Sequence, residues 1–341
     1  MGELETTARE LVAPGKGILA ADESTSTIGK RFAALGIEST TEHRRAYRDM
    51  LFTAPGVERY LSGAILYDET IRQSASDGTP FPQQLAARGI IPGIKVDTGA
   101  KDLAGFPGEK VTEGLDGLRD RLAEYRSLGA RFAKWRAVIT IGEGIPSEAC
   151  IEANAEALAR YAALCQEAGI VPIVEPETLM DGDHTIDRHE EATSRTLEAV
   201  FARLALHRVA LEGLLLKTNM VLSGKGCPEQ AGVQEVAERT LKVLRGIVPA
   251  AVPGIVFLSG GQSDEDATVH LQAMNAIGGV PWELSFSYGR ALQAPSLAAW
   301  GGKSENVAAG QHALLQRSWR NGAARDGRYR PEMEAEEAPA A

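Results

Sequence analysis

Cysteine is scarce in this chain of 341 residues: Cys150, Cys165 and Cys227 form an odd set without C-x-x-C spacing. That argues against a disulfide framework and a zinc knuckle, and favours a reducing compartment. No apolar run reaches the roughly 18 residues of a membrane span, and the opening MGELETTARELV lacks the basic and apolar segments of a secretory leader. A cytoplasmic protein with no membrane partner is expected. Gly2 with Thr6 fits the myristoylation pattern, but no basic cluster follows to supply the second signal that stable anchoring takes. Excess basic charge is missing as well: 46 acidic against 36 basic side chains give a net charge of −10, which argues against nucleic acid as a partner. No G-x-G-x-x-G follows a strand and no G-x-x-x-x-G-K-[ST] is present. Trp135, Trp282, Trp300 and Trp319 are expected in the core or an interface rather than stacking on bases.

What the chain does have is a globular composition, 44% apolar and 24% charged, and a repeated alternation of two patterns. Eight short β-type runs occur at 17–22, 63–68, 90–97, 132–139, 170–177, 213–221, 254–261 and 282–289. Stretches with apolar residues at helical intervals separate several of them, and Ser147 and Ser263 stand where N-caps belong. This order predicts parallel β/α architecture, and eight strands predict a closed (β/α)8 TIM barrel. Residues 1–320 are expected to form one barrel catalytic domain. Residues 321–341, ending in the Glu/Ala/Pro-rich GRYRPEMEAEEAPAA, are expected to form a flexible tail.

The polar residues of these runs gather at their C-terminal ends, where a barrel of this kind carries its active site. Asp22 ends the first run, Lys95 and Asp97 the third, Glu175 and Glu177 the fifth, while Lys134 and Arg136 lie in the fourth and Lys217 in the sixth. The seventh ends in Ser-Gly-Gly and the eighth in Ser-Tyr-Gly-Arg. Side chains two apart on a strand share a face, so Lys134 with Arg136, Glu175 with Glu177 and Ser285 with Ser287 point alike. Arg31, Lys95, Lys134, Arg136, Lys217 and Arg290 together make a cationic rim on an acidic protein, which suits an anionic substrate, phosphate above all. The glycines of LSGGQSDED precede a helix start, and their N–H groups can approach such an anion. Within GLLLKTNMV, Lys217 interrupts an apolar strand, a costly place for an ammonium group. Cationic neighbours and partial desolvation disfavour its charged form and free a neutral amine to attack a ketone. Glu175 and Glu177 can shuttle the protons of imine formation, and Asp22 can accept a hydroxyl proton as a neighbouring bond breaks.

The segments KGILAADEST, LSGAILYDETIRQ, PGIKVD, FAKWRAVI, IVPIVEPE, LLLKTNMVLSGK, FLSGGQS and FSYGRALQ resemble those of the class I fructose-1,6-bisphosphate aldolases, from about residue 4 to residue 320. The resemblance implies that Lys217 forms a Schiff base with the substrate ketone, with no metal and no cofactor. It implies Glu175 as acid/base, Asp22 as the group assisting C3–C4 cleavage, and Lys134 and Glu177 as shapers of local charge. One phosphate pocket would comprise Ser259, Gly260, Gly261, Ser287, Gly289 and Arg290, and a second phosphate would lie toward Ser24, Thr27, Arg31, Lys95 and Arg136. The sugar-phosphate products would be dihydroxyacetone phosphate and glyceraldehyde 3-phosphate, in glycolysis or its reverse, and the assembly a homotetramer. The chain departs from the family pattern at Thr218, usually Pro, and Thr98, commonly Lys. It also ends in Ala341, without the terminal tyrosine that tunes bisphosphate preference in animal members, and its last tyrosine is Tyr329.

Two other readings start from the same residues. DGDHTIDRHEE offers Asp183, His184, His189 and Glu190 to a metal, but the histidines lack the i, i+4 spacing of a helical ligand pair. A noncatalytic phosphate-binding protein would need the cationic rim without Lys217 and Glu175. An imine-forming enzyme for another sugar phosphate would keep the chemistry and change the substrate.

Overall fold

In the computed structural model, which describes residues 2–339, the strands are β1 Gly17–Ala20, β2 Leu61–Leu66, β3 Ile91–Lys95, β4 Gly99–Asp102, β5 Lys110–Glu113, β6 Phe132–Ile139, β7 Val171–Thr178, β8 Leu215–Thr218, β9 Gly254–Phe257 and β10 Glu283–Tyr288. Eight of them close into a parallel barrel in the order β1-β10-β9-β8-β7-β6-β3-β2. Helices such as Glu148–Glu167, Ile186–Leu206 and Asp264–Ile277 surround it. Ser147 and Ser263 cap two of these, accepting from the N–H groups of Cys150 at 3.2 Å and Asp266 at 3.0 Å, which satisfies donors that a helix start otherwise leaves open. This is a (β/α)8 barrel.

The strand period of two sorts the barrel residues into an outer and an inner set. Leu19, Ala64, Ile94, Trp135, Val174, Leu216, Phe257 and Phe286 face outward and join the main core under the helices. Ile18, Ile65, Ile91, Phe132, Val171, Ile173, Leu215 and Val256 form a separate cluster that also takes in Ala8, Leu11 and Val12 of the N-terminal segment. This inner cluster is the apolar floor of the barrel. At Gly93 an added Cβ would collide with the Phe132 ring, so the glycine makes room for the largest floor side chain.

One step of two residues above the floor, the inner positions become charged. Phe132 is followed by Lys134 and Arg136, Ile173 by Glu175 and Glu177, and Leu215 by Lys217. A lysine in an apolar strand is therefore an inner residue one layer above the floor. Ser285 is tied lower down, its Oγ donating to the Lys16 carbonyl at 2.7 Å.

Two features differ from the sequence reading. The β4–β5 pair is an antiparallel hairpin between β3 and β6, with Asp102 opposite Lys110; its strands are short and largely polar, so they carry no apolar run. The division expected after residue 320 falls inside the last helix, Val307–Arg325, because the Ala-rich end of that helix continues its pattern to Arg325. Beyond it, the buried Tyr329 donates to Glu334 at 2.9 Å, and Arg317 donates to both Glu334 oxygens at 2.8 Å.

Candidate active site

The inner charged layer opens into a cleft of about 400 Å³ at the C-terminal ends of the strands, a size suited to a small ligand. Asp22, Lys134, Glu175, Glu177 and Lys217 line it, together with Ser24, Thr27, Arg31, Lys95, Arg136, Ser259, Gly260, Gly261, Ser287, Gly289 and Arg290. These catalytic and phosphate-binding candidates share one cavity, whereas Asp183, His184, His189, Glu190 and Ser285 lie outside its lining. Tyr329 is not among the lining residues.

At its base lies a chain of alternating charges. Lys217 Nζ is 3.0 Å from Glu175 Oε1. Lys134 Nζ is 3.2 Å from Glu175 Oε2 and 2.8 Å from Asp22 Oδ2. Lys134, Glu175 and Lys217 are buried, and Asp22 is nearly so. Four unpaired charges there would be prohibitive, whereas two cations and two anions in alternation offset one another's desolvation. Burial raises the pKa of Asp22 and Glu175, but Lys134 and Lys217 outweigh it, so both carboxyls are held below the ordinary carboxylate range. Burial lowers that of Lys134, but Asp22 and Glu175 outweigh it and keep the ammonium charged. Glu175 Oε2, despite its ion contact with Lys134, has no aligned hydrogen bond among the described residues.

Around this base the rim cations are mostly paired. Lys95 meets Asp97 at 2.9 Å, and Arg136 donates to Glu177. Arg31 donates to Glu23, which also accepts from Arg48 at 2.6 Å and from Gln293 at 2.9 Å. Ser24 caps the helix Thr25–Ala33 and places its start at the cleft. Among the described residues two groups of the lining are unsatisfied: Ser287 Oγ is buried without a hydrogen-bond partner, and Arg290 has no partner. Both stand by the loop Ser259–Gly261. An orphaned hydroxyl, a free guanidinium and glycine N–H groups form a cradle for an anion.

Sequence reasoning missed Glu23, Asp181 and Lys225 in the lining. Glu23 adjoins Asp22 and could have been suspected as a second carboxylate at a strand end. Lys225 lay in a loop whose path no local pattern reveals.

Of the residues raised for a metal, His189 braces the end of β7 and the loop after β8. The buried His189 accepts from the Leu222 N–H at 2.8 Å through Nδ1, and its Nε2 lies 3.2 Å from the Thr178 carbonyl. Asn219 accepts from the Thr178 N–H at 2.9 Å and donates to Thr193 at 3.1 Å. Glu190 is held by Arg239 at 2.8 Å and Lys242 at 2.5 Å. His189 and Asn219 thereby lock the end of the strand bearing Glu175 to the end of the strand bearing Lys217.

This lock has a pH signature. Burial, partly countered by the Thr178 carbonyl, pushes the His189 pKa from 6.5 down to about 4. Between those values the unfolded chain binds the proton and the folded one does not, so stability falls as pH drops from about 6.5 to 4, by on the order of 3 kcal/mol. Urea unfolding of the parent protein from pH 7 to 4.5 should show this loss, and His189→Gln should flatten it. Equal slopes for the two proteins would remove His189 as the cause.

Comparison with known proteins bears on the same cleft. The family model described as class-I fructose-bisphosphate aldolase matches residues 3–341. A probable fructose-bisphosphate aldolase class 1 of Xanthomonas campestris is 60% identical over 329 residues, covering 96% of this chain and 98% of that relative. Cytosolic fructose-bisphosphate aldolase 5 of Arabidopsis thaliana is 55% identical, over 96% of this chain and 91% of its own. Among solved structures, the Plasmodium falciparum aldolase in complex with TRAP and a small-molecule inhibitor superposes with a TM-score of 0.95 at 51% identity, covering 96% of this chain and 95% of that one.

Proposed function

The chain belongs to the class-I fructose-bisphosphate aldolase family, and from that premise we propose that Lys217 carries its carbon–carbon lyase reaction, with Glu175, Lys134 and Asp22 managing protons and charge. The protein cleaves fructose 1,6-bisphosphate reversibly to dihydroxyacetone phosphate and glyceraldehyde 3-phosphate through a lysine Schiff base. What carries the residue assignment is one contact: the buried Lys217 Nζ lies 3.0 Å from Glu175 Oε1 on the cleft base.

The proton on Lys217 has a direct route off. Its nearest ionic neighbour is the Glu175 carboxylate, so activation is proton transfer to Glu175 as the ketone arrives. The freed amine adds to C2 of the substrate. Glu175 returns the proton to the departing hydroxyl, water leaves, and a protonated imine remains. Asp22 takes the C4 hydroxyl proton, the C3–C4 bond breaks, and its electron pair neutralises the imine as an enamine. The aldehyde departs, C3 takes up the proton that Asp22 had accepted, and water releases dihydroxyacetone phosphate to regenerate Lys217. Lys134 stays charged throughout, holding Asp22 and Glu175 apart. The cradle of Ser259, Gly260, Gly261, Ser287, Gly289 and Arg290 takes one phosphate; Ser24, Thr27, Arg31, Lys95 and Arg136 take the other. Glu177 fixes Arg136.

A homotetramer is proposed on family resemblance. Cytoplasmic residence is proposed from the cytosolic Arabidopsis relatives; among the described residues no helix is long and apolar enough to cross a membrane.

Borohydride reduction in the presence of dihydroxyacetone phosphate tests the assignment. One stable adduct is expected, mapped by mass spectrometry to Lys217. Label on another lysine, or none, would overturn it.

A further inference from the structure

A second lysine follows Lys217 in the same segment. The backbone of Lys225 is pinned: its N–H donates to the Met180 carbonyl at 2.8 Å, joining the loop after β8 to the loop after β7. The side chain is not pinned. It is 43% exposed, and its Nζ meets Asp181 Oδ1 at 3.1 Å, where Asp181 is itself 66% exposed. Such a pair is a weak hold in water.

The ammonium also lies over the loop that follows β9. A Cβ placed on Gly261 would be 2.6 Å from Lys225 Nζ and 3.5 Å from Arg290 Nη2. Gly261 has φ +87°, a left-handed conformation that a side chain disfavours, so bare backbone is presented beneath two converging cations. Among the described residues Arg290 has no partner, and Lys225 has only an exposed one. The buried Ser287 Oγ in the same cavity is likewise unpartnered. Like charges drawn together over exposed N–H groups are stabilised by an anion between them.

We propose that Lys225 is a specificity-determining residue of this chain, leaving Asp181 to clamp, with Arg290, the phosphate of the sugar seated on the Gly260–Gly261 loop. This rests on the function proposed above and adds to it a residue outside the cradle read from the sequence. Asp181 is then the competitor that parks the lysine between turnovers, and the two partners of one ion pair act in opposite directions on substrate binding.

The measurement is the concentration of dihydroxyacetone phosphate that gives half-maximal borohydride trapping on Lys217. Lys225→Met should raise it about tenfold, in line with the loss of one charge-assisted hydrogen bond, and Lys225→Arg should restore most of the loss. Asp181→Asn should lower it, by about threefold for the release of an exposed ion pair. The double variant should match Lys225→Met. Trapping of dihydroxyacetone, which lacks the phosphate, should not respond to Lys225→Met. An unchanged half-saturation in Lys225→Met overturns the inference while leaving Lys217 as the nucleophile. A rise in both Lys225→Met and Asp181→Asn also overturns it, since a purely structural ion pair behaves that way. Absence of label on Lys217 in the parent protein overturns the underlying reading and this inference with it.

Discussion

Replacing Lys217 with arginine or alanine is expected to lower kcat by at least about 10⁵-fold, to assay background, and to abolish borohydride labelling. The two variants fail for different reasons. Arginine keeps a cation beside Glu175, but its guanidinium does not release a proton in the accessible pH range and forms no imine. Alanine removes the cation, and Glu175 retains Lys134, 3.2 Å away, with Arg136 beyond it. Stranding a buried charge altogether costs about 3–5 kcal/mol; with Lys134 in place, Lys217→Ala should lose less than that and stay folded. Thermal melts beside the kinetics separate the two effects. Turnover by either variant above about 10⁻⁵ of the parent rate would mean that the covalent step lies elsewhere.

Much of this arrangement is legible in the chain because strand alternation and barrel geometry are local rules. Leu215 followed two residues later by Lys217, and Phe132 by Lys134 and Arg136, already encode an apolar floor beneath a charged layer. The same rule told which residues share a cavity, but not which of them touch. Lys134 meets Glu175 on the adjoining strand and Asp22 beyond β3 and β2, and no spacing along the chain gives those contacts. Hence the sequence suggested a cationic rim but not its pairing: Arg31, Lys95, Lys134, Arg136 and Lys217 are all ion-paired. Only Arg290 of that set has no partner among the described residues. The β4–β5 hairpin escaped because its residues are polar on both faces, and Lys225 because its position is set by backbone bonds between two loops. His189 shows the converse. Of the cluster that looked like metal ligands by composition, His189 spends both ring nitrogens on backbone groups, the end of β7 and the loop after β8.

Asp22→Asn should separate imine formation from bond cleavage, with turnover down by about 10²–10⁴-fold, the usual range for removing a general acid or base. A carboxyl held below its ordinary range is a weak base, so its role needs a physical reason. Burial raises its proton affinity, and Lys134 followed by Lys217 are the charges that lower it. When the C3–C4 electron pair enters the imine, the positive charge on the Lys217 nitrogen disappears. The Lys217 part of that depression vanishes with it, so Asp22 gains basicity as the hydroxyl proton is released. Asparagine keeps the shape and an oxygen acceptor for Lys134 but removes the base. Borohydride quenching with fructose 1,6-bisphosphate should therefore trap mainly a six-carbon adduct on Lys217 in the variant, where the parent protein yields mainly the three-carbon one. Cleavage at the parent rate would remove Asp22 from proton transfer. Loss of all trapping would place its role before the imine, in setting the charge of Lys134 and Glu175.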